Sequence, residues 1–386
     1  MGPLIVLDKS VFQGLSYAAC RELGRYFYVV IAPVMLLEIL ADLKHEKGTE
    51  DENRALVKSL LDKIPRLHMA VVPSYQTLCV QEIAGVRIGR PRGQIRQVPA
   101  WGHSVPTSAG RFAMVKESPE AEAMTRWEMG FISEGEELLA SEWRRVTKGL
   151  DLERFRHKFR ALGRAFSTIE EIDTAVRSLL ADESTQLAVL ETLLGSWPDS
   201  HRMVATLRSQ WRLVAEMRPG RHWWYNIHCG RVLLTLLTAV GAGVIGTRST
   251  NRVDAEYFNY TPFAHIFVSG DRNSHGVLAR ALLDPEQTYL DREDFRTALQ
   301  ELADRRAEAV TRGRDPTSED LDPAPGSLVH DLHVKHLGEF RSLRPHDSGA
   351  LPPHITPNYL SRIIQEAEAA IRLNPERYPS PPPWPR

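Results

Sequence analysis

Four acidic residues stand where a carboxylate needs a reason. Asp8 ends the apolar run LIVL, in VLDKSVF, and Asp271 follows a second such run, in HIFVSGDRN. Glu38 lies in MLLEIL, flanked by Leu36, Leu37, Ile39 and Leu40. An acid there is costly unless it faces water, a partner or a metal. Asp254 lies in NRVDAEYFNY, upstream of Asp271. Carboxylates converging without histidine or cysteine would make a hard, oxygen-only site, which selects Mg2+ or Mn2+ over zinc. Such an ion stabilises charge on a phosphate and lowers the pKa of a bound water. Without a cation the same acids would repel a phosphodiester.

Bringing these acids together needs a scaffold, and the apolar patterning predicts one. Leu4 to Leu7 reads as a short buried strand, Val11 to Arg25 as a helix, and Arg25 to Pro33 as a second strand. Pro33 suits the first turn of a helix, PVMLLEILADLKHEK, which carries Glu38. Leu67 to Tyr75 reads as a third strand. Strands alternating with helices imply an α/β fold: a parallel sheet flanked by helices, with right-handed crossovers. Loops at the carboxyl ends of parallel strands form the binding crevice, so Asp8 and Asp271 fall on one rim. Gly270 lets the chain turn tightly beside Asp271. A cap at Ser249 or Thr250 would start a helix that carries Asp254 toward the same rim.

The middle of the chain breaks this rhythm. Ile88 to Arg111 is rich in Gly, Pro and Arg and reads as an irregular loop, and Ser118 to Met217 reads as several charged helices. Val232 to Gly246 is slightly short for a membrane span and contains Thr and Gly, so a buried helix is expected and no membrane partner. Ala264 to Leu283 returns to strand and helix, and YLDREDFRTALQELADRRAEA reads as another helix. Thr311 to Ser327 has the composition of an exposed linker, and a last helix spans Asn358 to Leu373 before a Pro-rich tail. The expected organisation is an α/β part over 1–85 and 245–310, an inserted loop and mainly helical region over 86–244, and a linker, helix and tail over 311–386.

The formal charge of −1 over 386 residues gives no global basic footprint, so a nucleic-acid partner would have to be met locally. Arg87, Arg90, Arg92 and Arg96 in the loop, and Arg154, Arg156, Lys158, Arg160 and Arg164 in the helices, are the candidate patches. A solvated helix face is the simpler account of the second group. The run HWWYNIH suits a stacking platform, although packing is the plainer reading. Cys20, Cys79 and Cys229 form no CxxC pair, and the first residues lack signal-peptide character, so a reducing cytoplasmic setting is expected. There is no GxxxxGK[ST] loop and no HExxH motif.

Taken in order, VLDKSVF, PVMLLEIL and VDAEYFNYTPFAHIFVSGDR resemble a PIN domain, the metal-dependent ribonuclease fold. That family places an Asp after the first strand, a Glu on the next helix, an Asp opening a later helix and an Asp after the fourth strand. The resemblance implies Asp8, Glu38, Asp254 and Asp271 as catalytic metal ligands for Mg2+ or Mn2+, with Ser10 supporting the first acid. It covers about residues 1–85 and 245–300, and the helical insertion departs from the compact family pattern. The expected activity is a hydrolase: an endoribonuclease cutting single-stranded RNA. Arg272, Asn273, Arg90 and Arg92 are expected near the substrate, and a regulatory protein or a second copy is a further expected partner.

Plainer roles remain open for each acid. Asp8 suits a helix cap, Glu38 a pair with Lys44 or His45, and Asp271 a pair with Arg272; Glu256 competes with Asp254. The alternative functions are a PIN-like scaffold without activity, or a DNA nuclease or nucleotidase using the same acids.

Overall fold

The computed structural model describes residues 2–46, 48–65, 68–83, 88, 101–108, 110–116, 119–149, 152–153, 156–157, 166–195, 204–205, 208–209, 223–315, 319–341 and 357–373. Its centre is a five-stranded parallel sheet. The strands are β1 (Leu4–Leu7), β2 (Tyr28–Ile31), β3 (Met69–Val71), β6 (Ile266–Ser269) and β7 (Thr288–Asp291), ordered β3-β2-β1-β6-β7. The register aligns Ile5 with Val29 on one side and with Ile266 on the other. Both faces of a parallel sheet are covered by helices, so its central strands tolerate unbroken apolar runs. Every residue of β1 and of β6 is buried.

The chain leaves β1 toward β2 and β3, then returns on the other side as β6 and β7. The order of strands therefore reverses at β1. A crevice opens at such a reversal, between the loops leaving the two adjacent strands at their carboxyl ends. Asp8 and Asp271 are on those two loops.

Local chemistry sets the flanking helices. Asp8 caps the helix Lys9–Gly14, and Ser16 caps a separate helix, Tyr17–Tyr26. The single helix expected from Val11 to Arg25 is thus two, because the Ser16 hydroxyl takes the Ala19 N–H and restarts it. Pro33 opens the helix Pro33–Ala41 that bears Glu38. Thr49 and Glu52 form a reciprocal capping box at the helix Glu50–Asp62.

Several expectations need correction. Part of the stretch read as an irregular loop is a strand: β4 (Trp101–Thr107) pairs antiparallel with β5 (Gly110–Lys116). Tyr289 to Asp291, read as the start of a helix, completes β7; the Asp291 side chain then caps the helix Arg292–Thr311. The segment read as an exposed linker is partly packed: Leu321 is buried, and its carbonyl accepts from Arg305 at 2.7 Å. A helix at Leu328–Leu337 was not anticipated. The apolar stretch in the middle is the buried helix Trp224–Ala242, ended by Gly243 in the left-handed region. Among the described residues no helix is long and apolar enough to cross a membrane.

One continuous core joins the sheet to the middle of the chain. Met124, Trp127, Ala140, Ile169, Ile172 and Val176 belong to the same cluster as β1, β2 and β6. A buried carboxylate helps tie them. Glu82 accepts the N–H groups of Tyr225 (3.0 Å) and Asn226 (2.8 Å), satisfying two free donors at the start of the helix Trp224–Ala242. Trp223 and Tyr225 are buried, so this part of the HWWYNIH run is packing.

Candidate functional site

Asp8 caps a helix and is buried at the carboxyl end of β1. Its Oδ1 accepts the Val11 N–H at 3.0 Å and the Ser10 hydroxyl at 2.6 Å. Its Oδ2 accepts the Ser269 hydroxyl and lies 3.4 Å from Nδ1 of His275. The capping reading of Asp8 is observed, and the Ser10 hydroxyl donates to the same oxygen that takes the Val11 N–H.

Glu38 is held from across the crevice. The buried Tyr257 hydroxyl donates to its Oε2 and accepts the Lys9 N–H at 3.2 Å. Lys9 reaches over with its ammonium to the Glu38 carbonyl (3.1 Å) and to Asp42 (2.7 Å). Lys44 is turned instead to Glu137 at 3.1 Å.

Asp254 lies in the first turn of the short helix Asn251–Glu256, whose N-cap is Thr250, one of the two expected residues, with no capping bond from its side chain. Its Oδ2 is buried and has no hydrogen-bond partner. Glu256, the competing acid, pairs with Arg252 at 3.3 Å. Asp271 turns its Oδ1 onto the N–H groups of Asn273 and Ser274, both at 2.9 Å, which fixes the loop after β6. Arg272 pairs with Asp291 at 2.6 Å and leaves Asp271 alone. Asn273 contributes its backbone to that turn and has an exposed side chain.

Neighbouring charges perturb Glu38 and Asp254 alike. Burial pushes the Glu38 carboxyl up to about 7; Tyr257 and Lys9 oppose this, and the charges of Asp254 and Asp8 add to it. Burial pushes Asp254 up to about 6, opposed by His275 and Arg248 and reinforced by Asp271 and Asp8. Burial also works to raise Asp8, but the hydrogen bond and charge of His275, with the Ser10 and Ser269 hydroxyls, outweigh it and hold Asp8 low.

Three residues of the site escaped the sequence reading: Ser269, His275 and Tyr257. Hydrogen-bond bookkeeping assigns the protons of the first two. Ser269 has one proton and two lone pairs. Its oxygen accepts the Asp271 N–H at 3.0 Å, and its proton goes to Asp8. Its oxygen also lies 2.6 Å from His275 Nδ1, and with Asp8 held low as a carboxylate that contact is met by a proton on Nδ1. Nε2 lies 2.9 Å from the Asp254 carbonyl, which can only accept, so it carries one too. His275 is therefore an imidazolium paired with Asp8, in line with its raised pKa: burial lowers it, and Asp8 and Asp254 more than restore it. The signal available in sequence was a histidine four residues after an acid, in SGDRNSHG.

A divalent ion suits the donors in kind. The ligand atoms on offer are oxygens, and Asp254 presents an orphaned one. Against this, no three His, Cys, Asp or Glu side chains among the described residues are spaced to hold a metal ion as they stand. Arg87, Arg90, Arg92 and Arg96 lie outside the described residues, as do Arg154, Lys158, Arg160, Arg164 and the Pro-rich tail. No family model matches the chain, and neither a curated protein nor a solved structure matches it.

Proposed function

We propose that this chain is a divalent-metal-dependent nuclease of PIN-like design, acting on single-stranded RNA. The observation that carries the reading is that hydrogen bonds tie together the segments bearing four acids: Ser269 joins Asp8 to the Asp271 N–H, His275 joins Asp8 to the Asp254 carbonyl, and Tyr257 joins Glu38 to the Lys9 N–H. The four acids fall where the resemblance to the PIN family expects them: after β1, on the helix after β2, at the start of a short helix, and after the fourth strand of the sheet.

Asp8, Glu38, Asp254 and Asp271 would hold Mg2+ or Mn2+. The ion would neutralise charge on the phosphodiester and activate water. The chain's own residues do the rest. Ser10 and the Val11 N–H fix one oxygen of Asp8, and Ser269 with His275 fixes the other. Tyr257 holds one oxygen of Glu38. Glu38, Asp254 and Asp271 are each partly exposed. No serine or cysteine beside a free base is needed as nucleophile.

The test is cleavage of labelled single-stranded RNA with Mn2+, Mg2+ or EDTA, comparing wild type with Asp271→Asn. Metal-dependent cleavage lost in the variant supports the reading. Equal cleavage by both proteins refutes it. Running DNA and free nucleotides alongside separates a ribonuclease from a DNA nuclease or a nucleotidase.

One observation favours a second reading, a scaffold without chemistry. Both oxygens of Asp8 and one of Glu38 already have partners within the protein, and no ready-made metal triad exists among the described residues. Calorimetry with Mn2+ decides between them, since a scaffold of this kind would take up no ion.

A further inference from the structure

The nuclease reading gives the scissile phosphate an ion but assigns no side chain to the neighbouring phosphates of the strand. The carboxyl rim of the sheet contains one. Arg292 opens the helix that follows β7, so it emerges beside the loop that carries Asp271. Its side chain lies over two glycines. A Cβ placed on Gly270 would come within 3.2 Å of the Arg292 Cζ and Nε, so the guanidinium rests against the backbone immediately before Asp271. A Cβ on Gly14 would lie 3.7 Å from its Cδ. Gly14 ends the short helix that Asp8 begins. Arg292 thus lies against both segments that carry rim acids, and the two missing side chains make room for it.

Its charge is only partly met inside the protein. Its Nη2 and Nε meet Glu293 Oε1 at 2.9 and 3.0 Å, Asp291 lies near enough to feel its charge, and Arg296 draws on the Glu293 carboxylate at 2.6 Å. Two guanidiniums share one carboxylate, and the Arg292 side chain is 35% exposed. A planar, permanently charged fork in this state is suited to a phosphate oxygen. The acids beside it repel phosphate and cannot do this.

We propose that Arg292 contacts a backbone phosphate of single-stranded RNA next to the scissile bond and so sets the substrate's register over Asp271. This rests on the nuclease reading for its substrate, and the test separates the two. Binding of a fluorescent single-stranded RNA is measured by anisotropy with Mg2+ across a salt series. The full chain is used in an Asp271→Asn background, so that cleavage cannot distort binding. Adding Arg292→Gln should weaken affinity about tenfold and flatten the salt dependence by about 0.7, the value for one lost phosphate contact on a single strand. Arg292→Lys keeps the charge but not the fork; it should keep the slope and lose part of the affinity. Arg312→Gln, near the far end of the same helix, should change nothing.

Unchanged affinity and slope in Arg292→Gln would overturn the proposal. So would the absence of RNA binding by the parent protein, or an equal loss in Arg312→Gln. If RNA binds with the expected dependence on Arg292 while the wild type cleaves nothing under any metal, the contact stands and the nuclease reading falls.

Discussion

Replacing Glu38 with glutamine should make the metal-free protein more stable, although it removes a proposed ligand. The Glu38 carboxyl is raised from 4.5 to about 7, so the folded protein holds its proton more tightly than the unfolded chain does. Stability from this group is therefore full below about pH 4.5 and is lost as pH rises toward 7. At about 1.36 kcal/mol per pH unit, the full loss is about 3 kcal/mol. Part of the side chain reaches solvent and Asp254 titrates with it, so screening and coupling reduce this to about 1–2 kcal/mol. Glutamine keeps an oxygen that accepts from Tyr257 and carries no charge. In EDTA at pH 8, urea denaturation should place Glu38→Gln about 1–2 kcal/mol above wild type, and at pH 5 most of that gain should be gone. Mn2+ at about a hundred times its Kd should stabilise wild type by about 2.7 kcal/mol and the variant by less. A variant less stable than wild type at pH 8 in EDTA would refute the claim that the carboxylate is held there at a cost to the fold.

Two further outcomes test the scaffold. His333 is fully buried among Tyr26, Phe27 and Phe340, and burial pushes its pKa down to about 4. The folded protein therefore resists protonating it while the unfolded chain does not, and stability falls as pH drops from about 6.5 toward 4; His333→Gln should lose about 2 kcal/mol less than wild type between pH 7 and pH 5 in urea denaturation. Gly24 packs on Pro65 so closely that an added Cβ would lie 2.5 Å from the proline Cβ. Gly24→Ala should cost about 1–3 kcal/mol by thermal denaturation despite the better helix propensity of alanine, and a stabilised variant would show that this contact relaxes freely.

The acids of the crevice were visible in one dimension because a charge in or after an apolar run is anomalous wherever it occurs. Asp8 and Asp271 each end a strand that is buried throughout, so their placement followed from the strand. β7 gave no such signal. All four of its residues are half-buried, as suits an edge strand, and its last residue doubles as the cap of the next helix. Strand and helix therefore read as a single polar stretch. The β4–β5 ribbon stayed hidden because Gly, Pro and Arg suggest a loop wherever the pairing partner is unknown.

His275 and Arg292 were missed for a different reason. A histidine at the start of a helix is unremarkable until the fold sets Ser269 between it and Asp8. What then favours its charged form is the buried carboxylate of Asp8 3.4 Å away, and no pattern of residue types contains that contact. An arginine followed by a glutamate likewise reads as a solvated pair. It becomes a candidate for phosphate only when Gly14 and Gly270, far apart in the chain, come to lie beneath it. The selection of Mg2+ or Mn2+ was drawn from a set of acids that excluded histidine. With an imidazolium already paired to Asp8, the crevice enters the metal-free state with one of its charges neutralised. On the proposed nuclease reading, an incoming ion would answer mainly to Glu38, Asp254 and Asp271, and would have to displace the protons of the two with raised pKa values.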